Sequence, residues 1–339
     1  MGFFAQVALR GTLYLLIGLA AVPLRGRTEI AAPPSARARA FTDAVAAARL
    51  RQLADDSVVA PGDRSILLTH GHRTRRVFVL LHGFTDSPRQ FAALGERLYA
   101  DGGNVYIPRL PHHAERRGAV SELARVTSGE LSAFGDSAVD VAVGLGDSVI
   151  VVGLSAGATI GAAVAQHRDD VARAVLVAPA IAPGVVPARM ATPLVRVAAR
   201  LPNVRRTARP DSSVVDFEQG ITTHGLAQVF RLGEGVSGDA GREAPRAHDI
   251  VLLLNENDRT VSGGAGLGLA RRWSDHGGRV VVYELPKALA LPHNVLAPPA
   301  LGGDAALVNR VLESLATGAP PPDDAVRYRF LTPLPGVGE

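Results

Sequence analysis

The chain has 339 residues, nearly half of them apolar, and a net charge of only +4. This length and composition allow a sizeable buried core and exclude wholesale disorder. The basic residues are scattered arginines, with Lys287 as the one lysine, and no dense basic run with interleaved aromatics indicates nucleic-acid binding. The absence of cysteine excludes disulfides, a thiolate nucleophile and cysteine-based zinc sites.

Residues 1–22 form a separate hydrophobic segment. An apolar run, 11–22, follows Arg10; it is short for a membrane span of about 20 residues but typical of a signal peptide. Taken from Phe3 to Val22, the segment could instead cross a membrane once, and a core or interfacial helix is a third reading. We expect a signal peptide or membrane anchor, and hence an exported or membrane-associated protein; a cytoplasmic protein is the alternative.

The next segment, 23–64, is predicted to be a linker rich in Pro, Ala and Arg followed by a short helix over 41–54. From there, short β-branched runs alternate with longer helical patterns, which is typical of a mostly parallel sheet with helices on both faces. The predicted strands are 66–69, 77–81, 104–107, 148–152, 174–178, 249–254 and 279–285. The predicted helices are 88–100, 121–144, 156–166 and 304–316.

One long interval interrupts this alternation. Residues 180–248 contain Pro, Arg and Gly clusters and no clear strand, and so long an insertion between strands is usually functional. We therefore predict a core formed by 65–179 and 249–317, and an inserted cap or lid over 180–248. The Pro/Gly-rich tail, 318–339, is expected to wrap the surface or fray.

The sequence Gly153-Leu154-Ser155-Ala156-Gly157 matches the pattern G-x-S-x-G. It lies between an apolar strand and a helix of small residues, the context in which a serine is held on a sharp turn with its hydroxyl raised above the sheet. Small residues are needed there because larger side chains would collide in the turn. We predict that Ser155 is a nucleophile; a serine that only caps the helix is the alternative.

A serine nucleophile needs a base and a group that orients it. Functional groups of a parallel sheet lie at the carboxyl ends of its strands. Asp258 and His293 both follow strands at that edge, and the order serine, acid, histidine is the order typical of this kind of site. Glu256 is the rival acid. His82 also follows a strand, but it precedes the serine, and we expect it to hold its own loop.

Acyl transfer further requires two N–H donors for the developing oxyanion. The residue after the nucleophile, Ala156, is predicted to supply one, and the loop after the strand 77–81 the other, from the backbone of Phe84. No cofactor is expected. A metal site using His70 and His72, or His112 and His113, is a weaker hypothesis, because neither pair has a carboxylate at ligand spacing in the sequence.

Five segments together carry a resemblance to a known family: LLHGFTDSPRQF at 80–91, VYIPRLPHH at 105–113, VVGLSAG at 151–157, NENDRTV at 255–261 and LPHNVL at 291–296. They resemble the α/β-hydrolase superfamily, in particular its carboxylesterase, monoacylglycerol lipase and lysophospholipase-like group. The resemblance covers about 65–317 and implies the same roles. It departs at 156–158, where relatives often have Met-Gly-Gly, and at 111–113, where they often have Pro-Gly-His-Gly.

These observations predict a serine-dependent, metal-free hydrolase of small-molecule or lipid esters. Apolar residues of the predicted cap suit an acyl chain, and its arginines suit either an anionic headgroup or a solvated helix face. Other reactions on the same triad, namely amide or C–C bond hydrolysis and acyl transfer, stay open because a fold does not fix a reaction. A non-catalytic binding protein is a further alternative.

Overall fold

Most of the strands come from the apolar runs, and the strands pair in one main sheet and one small two-stranded sheet. A computed structural model describes residues 40–116, 119–186, 188–206 and 220–331. The strands are β1 (Ile66–Leu68), β2 (Thr74–Leu81), β3 (Asn104–Ile107), β4 (Gly146–Leu154), β5 (Val171–Val177), β6 (Arg205–Arg206), β7 (Ile221–Thr222), β8 (Ile250–Asn255), β9 (Val280–Leu285) and β10 (Arg327–Leu331).

The main sheet has eight strands in the order β1-β3-β2-β4-β5-β8-β9-β10. The six inner strands run parallel, whereas β1 and β10 close the two edges in antiparallel pairs. This confirms the predicted mostly parallel sheet. Since β4 lies in the middle of the sheet, Ser155 at its carboxyl end lies at the centre of the row formed by the carboxyl ends of the parallel strands, called the carboxyl edge below.

Nine α-helices accompany the strands in the described residues. They are α1 (Phe41–Asp56), α2 (Ala92–Ala100), α3 (Ala119–Leu123), α4 (Ser128–Leu145), α5 (Ala156–His167), α6 (Ala188–Ala198), α7 (Thr223–Asp239), α8 (Gly263–Asp275) and α9 (Ala305–Thr317). Side chains of β2 alternate between two buried clusters. Val77, Val79 and Leu81 pack with α4 and α5, whereas Phe78 and Leu80 pack with α2 and α9. Helices therefore cover both faces, as predicted.

The tail differs from the expectation that it wraps the surface or frays, because β10 adds an edge strand to β9. The rings of Tyr328 and Tyr283 pack edge to face, with 5.4 Å between centroids, and Arg329 forms an ion pair with Glu284 at 3.2 Å. Edge strands of this kind are short and charged, so they lack the apolar run that marks an inner strand.

The interval 180–248 contains α6, the two-stranded hairpin of β6 and β7, and α7. Residues of α7, including Val229, Leu232 and Val236, are buried in the same cluster as α5. The end of the predicted cap segment therefore contributes to the layer that covers the sheet, and Ala180, Ile181 and Val195 from its first part are buried in the same cluster.

The predicted signal peptide or anchor at 1–22 and the linker before residue 40 lie outside the described residues. Among the helices that the structure describes, none combines the length and the apolar character that crossing a bilayer requires.

Candidate active site

Ser155 occupies a sharp turn between β4 and α5. Its backbone dihedrals are φ 55° and ψ −111°, a strained combination for a residue with a side chain. The two flanking glycines are required sterically: a Cβ atom on Gly153 would lie 2.6 Å from the backbone nitrogen of Ala158, and one on Gly157 would lie 2.7 Å from the His82 carbonyl oxygen. The motif therefore forms the turn that its spacing predicted.

The turn is held by Thr159, one helical turn further on. Its hydroxyl donates to the Ser155 carbonyl oxygen at 3.0 Å and accepts the backbone N–H of Ala180 at 2.9 Å. The Ser155 N–H donates to the Val177 carbonyl oxygen at 2.9 Å. The nucleophile turn is thus fixed to the segment that leaves β5.

The structure brings Ser155, His293 and Asp258 together in one hydrogen-bonded line. The serine Oγ lies 2.8 Å from His293 Nε2, and His293 Nδ1 lies 2.6 Å from Asp258 Oδ2. The other carboxylate oxygen of Asp258 accepts the backbone N–H groups of Thr260 at 2.8 Å and Val261 at 3.1 Å. These bonds orient the carboxylate toward the imidazole.

Glu256, the rival acid, points elsewhere. Its Oε2 accepts the backbone N–H of Lys287 at 2.7 Å, and its Oε1 lies 3.7 Å from the Arg327 guanidinium. It therefore fixes the turn after β9 and contacts the edge strand β10.

Asn255, to which the sequence gave no role, lies at the start of the acid segment, defined here as residues 255–261, and connects it with the base loop, defined here as residues 291–297. Its Nδ2 donates to the carbonyl oxygens of Leu291 at 3.0 Å and Pro292 at 2.9 Å. Its Oδ1 accepts the N–H of Asn257 at 3.0 Å, and its own carbonyl oxygen accepts the N–H of Asp258. Asn255 begins the family-like segment 255–261, but nothing in that segment assigned it a role.

The proposed oxyanion donors lie on adjoining segments. Ala156 is the first residue of α5, so its N–H has no acceptor within the helix. Phe84 belongs to the oxyanion loop, defined here as residues 82–84, which follows β2. A Cβ atom on Gly157 would clash with the carbonyl oxygen of Leu81, which shows how closely α5 approaches this loop.

His82 fixes the peptide group that carries the Phe84 N–H. Its Nδ1 lies 2.9 Å from the Gly83 carbonyl oxygen, and its Nε2 accepts the N–H of Leu110 at 3.1 Å. Because a peptide is planar, a bond to the Gly83 oxygen sets the direction of the Phe84 N–H. Burial, aided by the neighbouring His113, lowers the pKa of His82 well below its usual value, so the ring stays neutral and can donate and accept.

The ring of His113 packs against the oxyanion loop. It meets the Phe84 ring edge to face at 5.3 Å and the His82 ring at 5.4 Å, and its Nδ1 lies 2.7 Å from the Pro111 carbonyl oxygen. The Phe84 ring also approaches α7: a Cβ atom on Gly225, at the start of this helix, would lie 2.5 Å from the tip of the ring. The Phe84 side chain is therefore enclosed between the loop after β3 and α7.

The structure brings carboxylates close to one histidine of the weaker metal hypothesis, His112. His112 does have carboxylate partners, Glu122 at 3.5 Å and Glu130 at 3.2 Å, which lie too far along the sequence for ligand spacing to reveal them. Ligand atoms of His112, Glu115 and Glu122 lie within 4.8 Å of one another, so these three could hold a cation. Glu115 follows His112 by only three residues, so the expectation that this pair lacks a carboxylate at ligand spacing is wrong. His113 points away toward Phe84, and the His70 ring stacks on Tyr99 at 4.1 Å.

Backbone hydrogen bonds pair the segment that enters the predicted cap with the acid segment and the residue that follows it. The Gly184 N–H donates to the Thr260 carbonyl oxygen at 3.0 Å, and the Ser262 N–H donates to that of Ala182 at 2.8 Å. Since Thr260 also holds Asp258, the cap segment starts directly beside the triad.

Comparisons with solved structures show the same fold. A monoacylglycerol lipase from Paleococcus ferrophilus superposes with a TM-score of 0.55 at 18% identity, over 75% of this chain and 98% of that one. A structure from work on LipS and LipT, two metagenome-derived lipolytic enzymes, gives 0.52 at 18% identity, over 67% and 89%. A soluble variant of monoglyceride lipase from Saccharomyces cerevisiae gives 0.52 at 13% identity, over 75% and 91%.

A search of curated proteins finds no match to the sequence. The sequence model described as "Alpha/beta hydrolase family" matches residues 78–296, which is more than half of the chain and includes the oxyanion loop, the nucleophile turn, the acid segment and nearly all of the base loop. The resemblance seen in the sequence motifs is therefore confirmed, and the chain belongs to the alpha/beta hydrolase family.

Proposed function

We propose that this hydrolase is a serine-dependent carboxylic ester hydrolase that works through an acyl-enzyme. The observation that carries the proposal is the continuous line from Ser155 Oγ through His293 to Asp258, with bonds of 2.8 and 2.6 Å. A serine hydroxyl is a weak nucleophile, and an imidazole within hydrogen-bond distance is the base that activates it.

The reaction follows from these contacts. Ser155 Oγ attacks the acyl carbon while its proton passes to His293 Nε2, and Asp258 stabilises the imidazolium through Nδ1–H. The N–H groups of Ala156 and Phe84 stabilise the charge on the carbonyl oxygen. His293 then protonates the departing alcohol. A water molecule, deprotonated by His293, attacks the acyl carbon, and the bond to Ser155 Oγ breaks as His293 returns the proton to the serine, which releases the acid.

Contacts of the predicted cap engage two of the arginines that could meet an anionic headgroup. Of the arginines that could meet a headgroup, Arg196 forms an ion pair with Glu234, and Arg205 donates to Ser121. Part of the positive charge in the predicted cap is therefore already paired with groups of the protein itself.

The test is hydrolysis of p-nitrophenyl acetate, butyrate, octanoate and palmitate by wild type and Ser155→Ala. We expect kcat/KM to depend on chain length, and Ser155→Ala to lose on the order of 10⁴-fold or more. Ser57→Ala is the matched control, because this exposed serine only donates to the Ala54 carbonyl oxygen at the end of α1. We expect Ser57→Ala to keep wild-type activity.

A fluorophosphonate probe, which reacts with activated serines, separates the remaining readings. Absence of ester hydrolysis by folded wild type contradicts the proposal. Labelling of Ser155 in that case would direct attention to amide or C–C bond substrates or to acyl transfer, and absence of labelling to a binding role.

A further inference from the structure

The base loop and the oxyanion loop must keep a fixed separation during acyl transfer. His293 donates and accepts protons at the serine, whereas the Phe84 N–H must face the oxygen of the same acyl group. A displacement of about 1 Å between such groups can lower a rate about 100-fold. What links the two loops is therefore part of the reaction geometry.

A relay of side-chain amides connects them. The Gly83 N–H donates to Gln90 Oε1 at 2.8 Å, Gln90 Nε2 donates to Asn294 Oδ1 at 3.1 Å, and Asn294 Nδ2 donates to Asp86 Oδ2 at 3.3 Å. Each amide accepts with its oxygen and donates with its nitrogen, so the bonds run in one direction and end on a carboxylate. Bonds arranged in this way polarise and strengthen one another.

Both ends of the relay adjoin the reacting groups. Gly83 directly precedes Phe84 in the oxyanion loop. Asn294 directly follows His293 and is the central residue of a tight turn, in which the Val295 N–H donates to the His293 carbonyl oxygen at 3.0 Å. Fixing the side chain of Asn294 thus fixes the backbone that carries the base.

The base loop is consequently held from two sides. Asn255 binds the carbonyl oxygens of Leu291 and Pro292 from the acid side. Asn294 binds Gln90 and Asp86 from the side of the oxyanion loop. Gln90 and Asn294 are 204 residues apart in the sequence, so their bond joins segments that the chain itself does not keep together.

We propose that Gln90 and Asn294 are positioning residues that hold the oxyanion loop and the base loop at the separation that acyl transfer needs. The proposal rests on the proposed ester hydrolysis. Neither residue forms a hydrogen bond with a triad side chain. Gln90 acts through the backbone N–H of Gly83, and Asn294 acts through the backbone that joins it to His293.

The test compares Gln90→Met, which keeps the length of the side chain without its hydrogen bonds, with Asn294→Ala and with the double variant. With p-nitrophenyl butyrate we expect each single variant to lower kcat 10- to 100-fold with KM within about threefold of wild type. The double variant is expected to match the slower single variant, because either change breaks the same relay.

Gln228→Ala is the control for a general loss of stability. Its Oε1 also accepts a backbone N–H, that of Ser128 at 3.2 Å, but it belongs to neither loop. We expect this variant to keep the wild-type kcat even if its melting temperature falls. Effects of Gln90→Met and Asn294→Ala that multiply in the double variant would contradict a shared relay.

Hydrogen exchange of the Gly83 amide, which needs no substrate, tests the link independently of activity. We expect exchange at least tenfold faster in both Gln90→Met and Asn294→Ala, and unchanged in Gln228→Ala. Wild-type exchange and wild-type kcat in Asn294→Ala would overturn the proposal. If wild type hydrolyses no ester, the proposed function fails, and the exchange data still decide whether the relay holds the two loops together.

Discussion

His113 makes the oxyanion loop sensitive to acid. Its side chain is fully buried against Phe84, and burial, the nearby Arg109 and His112 together lower the pKa of His113 to about 4 from the usual 6.5. In the unfolded chain the same imidazole takes up a proton near pH 6.5. The folded state therefore binds fewer protons between these values, and stability falls as the pH falls through that window.

The magnitude follows from the two pKa values. Between pH 7 and pH 5 the proton taken up by the unfolded chain destabilises the fold by about 2 kcal/mol, since each pKa unit corresponds to about 1.4 kcal/mol. The measurement is the free energy of unfolding in urea at both pH values for wild type and His113→Asn. Asparagine keeps an N–H near the Pro111 carbonyl oxygen but does not titrate.

The quantity compared is the change in stability between the two pH values, so that any constant cost of the substitution cancels. We expect wild type to lose about 2 kcal/mol more than His113→Asn on going from pH 7 to pH 5. Equal losses would refute the reasoning, because they would mean that His113 titrates alike in the folded and unfolded chains.

Two further changes test the packing of the site. Gly157→Ala places a Cβ atom against the Leu81 carbonyl oxygen, so we expect it to cost about 3 kcal/mol or more in urea unfolding, whereas Gly268→Ala in the open part of α8 gains about 0.5–1 kcal/mol from helix propensity; equal effects would contradict the steric argument. Burial raises the pKa of Asp86 to about 6, so its ionised form destabilises the fold and this cost appears as the pH rises from 3.8 through 6. Asp86→Asn does not ionise, so on going from pH 4 to pH 8 it is expected to gain about 1–2 kcal/mol of stability relative to wild type, after a discount for solvent screening, whatever constant cost the loss of one acceptor oxygen adds.

The three residues of the proposed triad could be placed at one site from the sequence because they obey one simple rule. Each follows an apolar run that must be an inner strand, and parallel strands bring their carboxyl ends to one edge. Ser155, Asp258 and His293 needed only this rule and the chain order, and the structure joins all three in one hydrogen-bonded line.

The residues that hold the triad in place could not be identified in this way. Asn255, Gln90 and Asn294 lie within the family-like segments, but they act through amide hydrogen bonds to groups that the tertiary structure brings close, and the sequence does not show these partners. The edge strand β10 was missed because its sequence alternates charged and apolar residues after a proline-rich stretch. Both kinds of feature depend on what the tertiary structure brings nearby, and local pattern does not record it.

Backbone strain gives an independent route to the same edge. The described part of the chain has five non-glycine residues with positive φ, and each follows a strand at the carboxyl edge: His112, Ala114, Ser155, Ala178 and Ala290. At the opposite edge, the turns with positive φ before β2, β3 and β9 use glycine, at Gly71, Gly102 and Gly277.

Left-handed backbone costs a residue with a side chain about 1–2 kcal/mol, and glycine avoids that cost. Strain that persists only on one side of a sheet indicates where side chains are needed for function. Two of these positions, His112 and Ala114, flank His113, whose ring packs on Phe84. Positive φ at non-glycine residues alone would therefore have indicated this edge without knowledge of the serine motif.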